Sequence, residues 1–251
     1  MVKSRNRKYI RYFLLLFWGT VLVWMFIEMQ ASDFEDSVLE SDALVTIEYT
    51  ADYIAFTPKT NSDSIGILFY PGALVEPEAY APFARNLARE GYTVLIQPIP
   101  WRLAFTDGME QIAYTTTVQT FSDCPGITKW IISGHSKGGS MATKFAYKNP
   151  DLISGMLLIG TSHPREIDLS FLSVPVTKVS ASEDGLASPD EIRQFSQNLP
   201  DHTNFIMIEG GNHSQFGYYG FQFGSGTATI SREEQQAQLL TATLELLKEI
   251  E

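Results

Sequence analysis

A serine hydroxyl is a poor nucleophile until a base takes its proton, and that base must be held in one orientation by an acid. The 251-residue sequence carries residues of all three kinds in a usable order. The run Gly134-His135-Ser136-Lys137-Gly138-Gly139 lies between an apolar stretch at 130–133 and a helical pattern at 137–148. In a strand–turn–helix setting, G-x-S-x-G forms a nucleophile elbow. The tight turn forces the serine into a strained backbone conformation and lifts its Oγ above the sheet. Glycine is required at 134 and 138 because side chains there would collide across the turn. The amide of Lys137, at the helix N-terminus, is a candidate oxyanion donor.

On such an architecture the chain order is serine, then acid, then histidine. Of the four histidines, His135 sits inside the elbow, His163 comes too early, and His202 precedes a strand. His213, in the glycine-rich, flexible loop Gly210-Gly211-Asn212-His213-Ser214, is the expected base. The expected acid is Asp184 in Ser182-Glu183-Asp184-Gly185, with Glu183 as its neighbouring competitor; Asp-Gly suits a turn that presents a carboxylate to the sheet edge. A second oxyanion donor should follow the strand at 65–70, in Pro71-Gly72-Ala73-Leu74, where the amide of either Ala73 or Leu74 is placed to serve. Trp101, Phe105, Phe216 and Tyr218, on aromatic loops at 97–108 and 216–223, are candidates to line a substrate pocket. Lys137 and Arg102 are cations near enough to attract an anionic group. No H-x-x-x-H, H-E-x-x-H, P-loop or dinucleotide fingerprint occurs, so no metal and no cofactor is expected.

Several elements must position these residues. Alternating stretches at 43–50 and 53–57 read as a hairpin around Ala51-Asp52. Apolar runs at 65–70, 92–96, 130–133, 155–160, 174–180 and 204–209 read as strands. Helical spacing covers 80–88, with Pro82 in its first turn and Gly91 as its stop. It also covers 109–121, despite a threonine run, as well as 137–148, 191–198 and 232–250. In the last of these Ala237, Leu240, Leu244 and Leu247 mark the expected buried face. Strands alternating with helices predict a mostly parallel sheet covered on both sides, with ligands outside the carboxyl ends of the strands. About 14 residues separate the strands near 160 and 174, too few for a helical lid domain.

The first 31 residues differ from the rest. Lys3, Arg5, Arg7, Lys8 and Arg11 precede an uncharged run at 12–27 that ends at Glu28. As a helix that run is about 24 Å long, short for a hydrocarbon core of ~30 Å, but Tyr9 and Ile10 can extend it. Ala31 suits the −1 position of a signal-peptidase site whereas Met29 at −3 does not, so an uncleaved signal-anchor is expected. Basic residues before the span and acidic ones after it place the N-terminus in the cytoplasm. Residues 12–27 are then the contact with the cell membrane, residues 32–42 an acidic linker, and 43–251 a catalytic domain outside the membrane.

The whole chain carries 18 basic and 29 acidic residues, a net charge of −11. Removing the five basic residues and Glu28 of the first 31 leaves 13 and 28, so the body carries −15. A net anion repels phosphate backbones, so nucleic acid is excluded as a partner. Cys124, the single cysteine, rules out an internal disulfide and a cysteine-rich zinc site, and suits a bacterial exported protein made without disulfides.

Taken together, the segments 70–92, Leu103-Ala104-Phe105, Gly134 to Gly139, Ser182 to Gly185 and 210–220 resemble the α/β-hydrolase superfamily. The resemblance is nearer to the dienelactone-hydrolase-like group, α/β-hydrolase family 5, and covers about residues 43–250. It implies an α/β-hydrolase fold without a large lid domain and a Ser136–Asp184–His213 triad. Dienelactone hydrolases proper use a cysteine nucleophile; with Ser136 in that position, lactone specificity is not implied. The expected activity is cleavage of a small-molecule ester through an acyl-enzyme. The same triad acting on a peptide, thioester or carbohydrate ester is the alternative, as is a catalytically silent binding protein on this fold.

Overall fold

The computed structural model describes residues 2–60 and 63–251, with the side chains of residues 2–7 and Leu22 left aside. The basic side chains at 3, 5 and 7, on which the expected orientation partly rests, therefore lie outside the described residues.

Among the described residues, eight strands form one sheet: β1 (Val45–Tyr49), β2 (Ile54–Pro58), β3 (Ile65–Tyr70), β4 (Thr93–Ile96), β5 (Lys129–His135), β6 (Gly155–Ile159), β7 (Val176–Ala181) and β8 (Asn204–Ile208). Their spatial order is β1-β2-β4-β3-β5-β6-β7-β8. The hairpin β1–β2 is antiparallel, and β2 joins β4 antiparallel; every pairing from β4 through β8 is parallel. The helices are α1 (Val2–Glu28), α2 (Ala81–Arg89), α3 (Asp107–Asp123), α4 (Lys137–Lys148), α5 (Pro189–Gln194) and α6 (Arg232–Ile250).

Strand β3 shows why the sheet is covered on both sides. Ile65, Ile67 and Phe69 face one core with residues of α2 and α6, while Leu68 and Tyr70 face another with residues of α3 and α4. Successive side chains alternate faces, so a strand between two helical layers reads as one continuous apolar run. The threonine-rich α3 holds because Thr117 is buried and bonded: its hydroxyl lies 2.5 Å from the Tyr70 hydroxyl and 2.9 Å from Gln97 Oε1. Thr106 caps its N-terminus by accepting the Met109 amide.

Two expectations are corrected. The buried face of α6 is carried by Gln235, Leu239, Ala242, Thr243, Leu246 and Ile250; Leu247 belongs to it, Leu240 and Leu244 flank it, and Ala237 faces solvent. The expected helix at 191–198 is α5 followed by a separate 3₁₀ turn at Ser196–Asn198. The acidic stretch at 32–42 lies against α2. The Arg85 guanidinium donates to the carbonyls of Val38 and Glu40 and pairs with Asp42 at 2.7 Å, which tethers it to α2.

Residues Lys8–Glu28 of α1 are long and apolar enough to cross a membrane, with a mean hydropathy of 1.9. The end of α1 is built into the body. Met29 is buried, the Ala31 amide donates to Glu76, and Ala31 bridges to Tyr219.

Candidate active site

The strand order reverses on either side of β3, with β4 to one flank and β5 to the other. At such a switch point the loops after neighbouring strands part and leave a crevice. Tyr70 pairs with Gly134 across β3 and β5, so the loop Pro71–Leu74 and the elbow at Ser136 leave the sheet side by side.

Ser136 has φ 55° and ψ −115°, a conformation non-glycine residues avoid, immediately before the first turn of α4. The glycines around it permit the turn. A Cβ on Gly134 would lie 2.3 Å from the Gly138 carbonyl carbon, and one on Gly138 would lie 2.0 Å from the Tyr70 carbonyl oxygen. The Ser136 amide is tied to the Ile159 carbonyl at 3.0 Å, fixing the elbow to β6.

His213 Nδ1 lies 2.7 Å from Asp184 Oδ2, and both side chains are buried. The other oxygen, Oδ1, accepts the amides of Leu186 and Ala187 at 2.8 Å each. With three acceptor contacts the Asp184 carboxylate is locked, and Nδ1 must donate to it. The His213 lone pair is thus left on Nε2, which is buried and has no hydrogen-bond partner among the described residues. The competitor Glu183 bonds instead to the Ser182 hydroxyl at an exposed position.

The loop carrying His213 is clamped rather than flexible, a departure from expectation at the site. Gln235 of α6 accepts the Asn212 amide at 2.9 Å and donates to the Asn212 carbonyl at 2.8 Å, while the His213 amide donates to the Ser225 carbonyl. Nothing local in the sequence marks Gln235, since the clamp exists only once α6 packs under the loop.

In the loop after β3, the Gly72 amide donates to the Tyr80 hydroxyl and the Leu74 amide donates to the Arg102 carbonyl at 2.5 Å. Between them, the Ala73 amide has no acceptor among the described residues. The Tyr80 hydroxyl in turn lies 2.8 Å from His135 Nδ1. Burial, followed by the nearby His213, holds His135 well below the ordinary imidazole range, so it stays neutral. Its ring centroid stands 4.5 Å from that of His213, making it a floor under the second imidazole.

Ser136 and His213 open on one cleft of about 390 Å³, lined also by Lys137, Ser140, Thr161, Ser162, His163, Arg165, Leu186 and Ala187. Its cations are held by neighbours. Lys137 and Lys144 share Glu110 at 2.6 and 2.7 Å, and Arg165 pairs with Glu191. Burial alone would raise the Glu110 carboxyl, but the bonds from the two lysines outweigh it and hold it low. Burial, with Arg165 nearby, pushes Lys178 down to about 7, while its ammonium donates to the His163 carbonyl. Burial and the same two cations push His163 down to about 4.

None of the four aromatic residues expected in the pocket lines this cleft. Phe216 is buried against the His135 ring at 5.6 Å. Tyr218 packs edge-on to Phe34 and under the Arg232 guanidinium. Trp101 and Phe105 point to solvent. Arg102 is also absent from the cleft, being paired with Glu76 at 2.7 Å.

A mainly parallel sheet with a strained serine at a strand–helix turn beside its switch point defines an α/β-hydrolase architecture. The chain belongs to the alpha/beta hydrolase family, whose model matches residues 66–237, well over half of its length. Solved structures share the fold at low identity. A soluble variant of monoglyceride lipase from Saccharomyces cerevisiae aligns with a TM-score of 0.64 and 11% identity, over 87% of this chain and 99% of that one. A CIB-like hydrolase from Thermoplasma acidophilum gives 0.62 and 14%, over 82% and 98%. A bacterial heroin esterase gives 0.62 and 16%, over 84% and 87%. Among curated proteins, no sequence matches the chain.

Proposed function

We propose that this chain is a serine hydrolase that cleaves a carboxylic ester of a small molecule, carried at a membrane by α1. Ser136 Oγ attacks the ester carbonyl, His213 Nε2 takes the hydroxyl proton and returns it to the leaving alcohol, and Asp184 holds the imidazole. Water then releases the acid from the acyl-enzyme by the same route. The amides of Lys137 and Ala73 stabilise the oxyanion. The Leu74 amide is already engaged by Arg102 and is the weaker choice of the two.

The observation that carries the reading is the His213–Asp184 pair at 2.7 Å, with Nε2 left unpaired and His213 lining the same cleft as the strained Ser136. Ester cleavage is favoured among acyl transfers by the activities of two fold neighbours, a lipase and an esterase. The open cleft, with no helix between β6 and β7, suits a small substrate.

The anchor is retained because residues just inside the possible cleavage site are structural. Met29 is buried and the Glu28 carboxylate accepts the Phe221 amide at 2.7 Å. Residues 43–251 form the catalytic domain, on the outer side of the cell membrane, with the N-terminus in the cytoplasm.

A fluorophosphonate probe tests the chemistry. Peptide mapping should place the label on Ser136, and folded protein that takes no label would overturn the reading.

A further inference from the structure

The aromatic side chains that leave the cleft gather elsewhere. Trp101 is 80% exposed, Phe105 67%, Phe221 55% and Phe223 80%. Single exposed apolar residues need no explanation, but these four lie on two loops, after β4 and after β8, at the same edge of the sheet as Ser136.

Both loops flank the end of α1. The Trp24 ring stacks on Phe221 at 5.8 Å, and the Arg102 guanidinium sits 5.3 Å over the Phe26 ring. The Glu28 carboxylate accepts the Phe221 amide, and the Glu28 carbonyl accepts the Gly220 amide at 2.8 Å. Residues 101–102 and 220–221 are therefore level with residues 24–28 of the helix. Whatever medium surrounds that stretch of α1 surrounds the loops as well.

An apolar collar around the outer end of the helix adds to the hydrophobic surface at that level, and Trp and Phe rings are side chains that anchor in the interface of a bilayer.

We propose that Trp101, Phe105, Phe221 and Phe223 insert into the interface of the lipid bilayer that α1 crosses, holding the active-site edge of the sheet against the membrane. This rests on α1 being a retained membrane span. The collar shares walls with the cleft. The Arg102 carbonyl, beside Trp101, binds the Leu74 amide in the oxyanion loop. Gly224, next to Phe223, packs so closely on Leu186 of the cleft that a Cβ there would stand 2.9 Å from it. An amphiphilic ester resting in the outer leaflet would then reach Ser136 without crossing bulk water.

The experiment uses the full chain in phosphatidylcholine vesicles without bromine, with bromine on the acyl chains near the headgroups, or with bromine near the chain ends. Trp130 is buried at the amino end of β5 and is kept in every variant as a reference. One variant keeps Trp18 and carries Trp24→Phe and Trp101→Phe; a second keeps Trp101 and carries Trp18→Phe and Trp24→Phe. A third carries Phe223→Trp with the other three changed to Phe. Rings lodged about 5–10 Å into the interface should lose roughly half of their emission above the Trp130 reference in the second and third variants. Quenching of Trp18 by bromine at the chain ends, without quenching by the headgroup-proximal bromine in both of the others, overturns the collar and leaves the anchor standing. No quenching of Trp18 by bromine at the chain ends means that α1 does not span the bilayer, and the collar falls with it.

Discussion

The carboxyl edge of the sheet has two halves, and they are built by opposite means. Over β5, β6 and β7 lies the cleft, where almost every polar group is engaged: Asp184 by three donors, Asn212 by Gln235, Glu110 by two lysines. Over β3 and β4, next to α1, large aromatic rings stand in the open with few internal partners. A site that moves protons needs fixed donors and acceptors at fixed distances, which only a satisfied polar network supplies. A surface for an apolar medium needs rings left uncovered. The two halves should therefore answer differently to substitution.

Ser136→Ala should break the first half most severely, lowering ester turnover by about 10⁶-fold while binding persists. Turnover within tenfold of the parent would move the nucleophile elsewhere. Asp184→Asn should cost about 10⁴-fold, because the amide favours the wrong imidazole tautomer; a steady-state kcat measurement decides. Gln235→Leu leaves the Asn212 amide and carbonyl unpaired, so urea unfolding should show a loss of about 2–4 kcal/mol. An unchanged midpoint would show that the clamp on the His213 loop carries nothing.

Lys178 gives the half a pH signature. Its folded value of about 7 lies below its ordinary 10.5, so between those limits the unfolded chain binds the extra proton and stability rises with pH. Below about 7 the cost of the buried ammonium is present in full. Relative to Lys178→Met, the parent should gain up to about 1.4 kcal/mol per pH unit across that window, read by denaturation at three pH values. Parallel curves would mean that the ammonium is not desolvated. At the far end of the scale, Phe223→Ser in the aromatic half should shift stability by no more than about 0.5 kcal/mol. A larger loss would show that the ring packs on the body instead of standing clear of it.

Local signals carried well. Helix α4 and strand β3 run where their patterns put them, because a strand bounded by Pro71-Gly72 and a helix stopped by Asn149-Pro150 are decided by a few neighbouring residues. The elbow was equally legible, since two glycines and a serine at fixed spacing allow few backbone paths. Helix α6 shows where such reading stops. Counting apolar residues favoured Ala237 and Leu240, whereas the buried face includes Gln235 and Thr243. Both are polar residues made tolerable by bonds, to Asn212 in one case and to the Leu239 carbonyl in the other. Trp101 and Phe105 misled for a related reason: an aromatic ring on a loop is equally suited to a pocket wall and to a surface.

By itself the sequence determined the strand and helix alternation, the tight turn at Ser136, the order of serine, acid and histidine, and the apolar run at the N-terminus. Each depends on the chain's own dihedral limits or on hydrophobic periodicity, which act over a few residues. Only the tertiary structure decided that Asp184 rather than Glu183 meets His213, that Gln235 holds the loop, and that the aromatic loops surround α1 and not the cleft. Those outcomes depend on which surfaces meet across the sheet edge, and hydrogen-bond partners hundreds of atoms apart along the chain are set only when the layers pack.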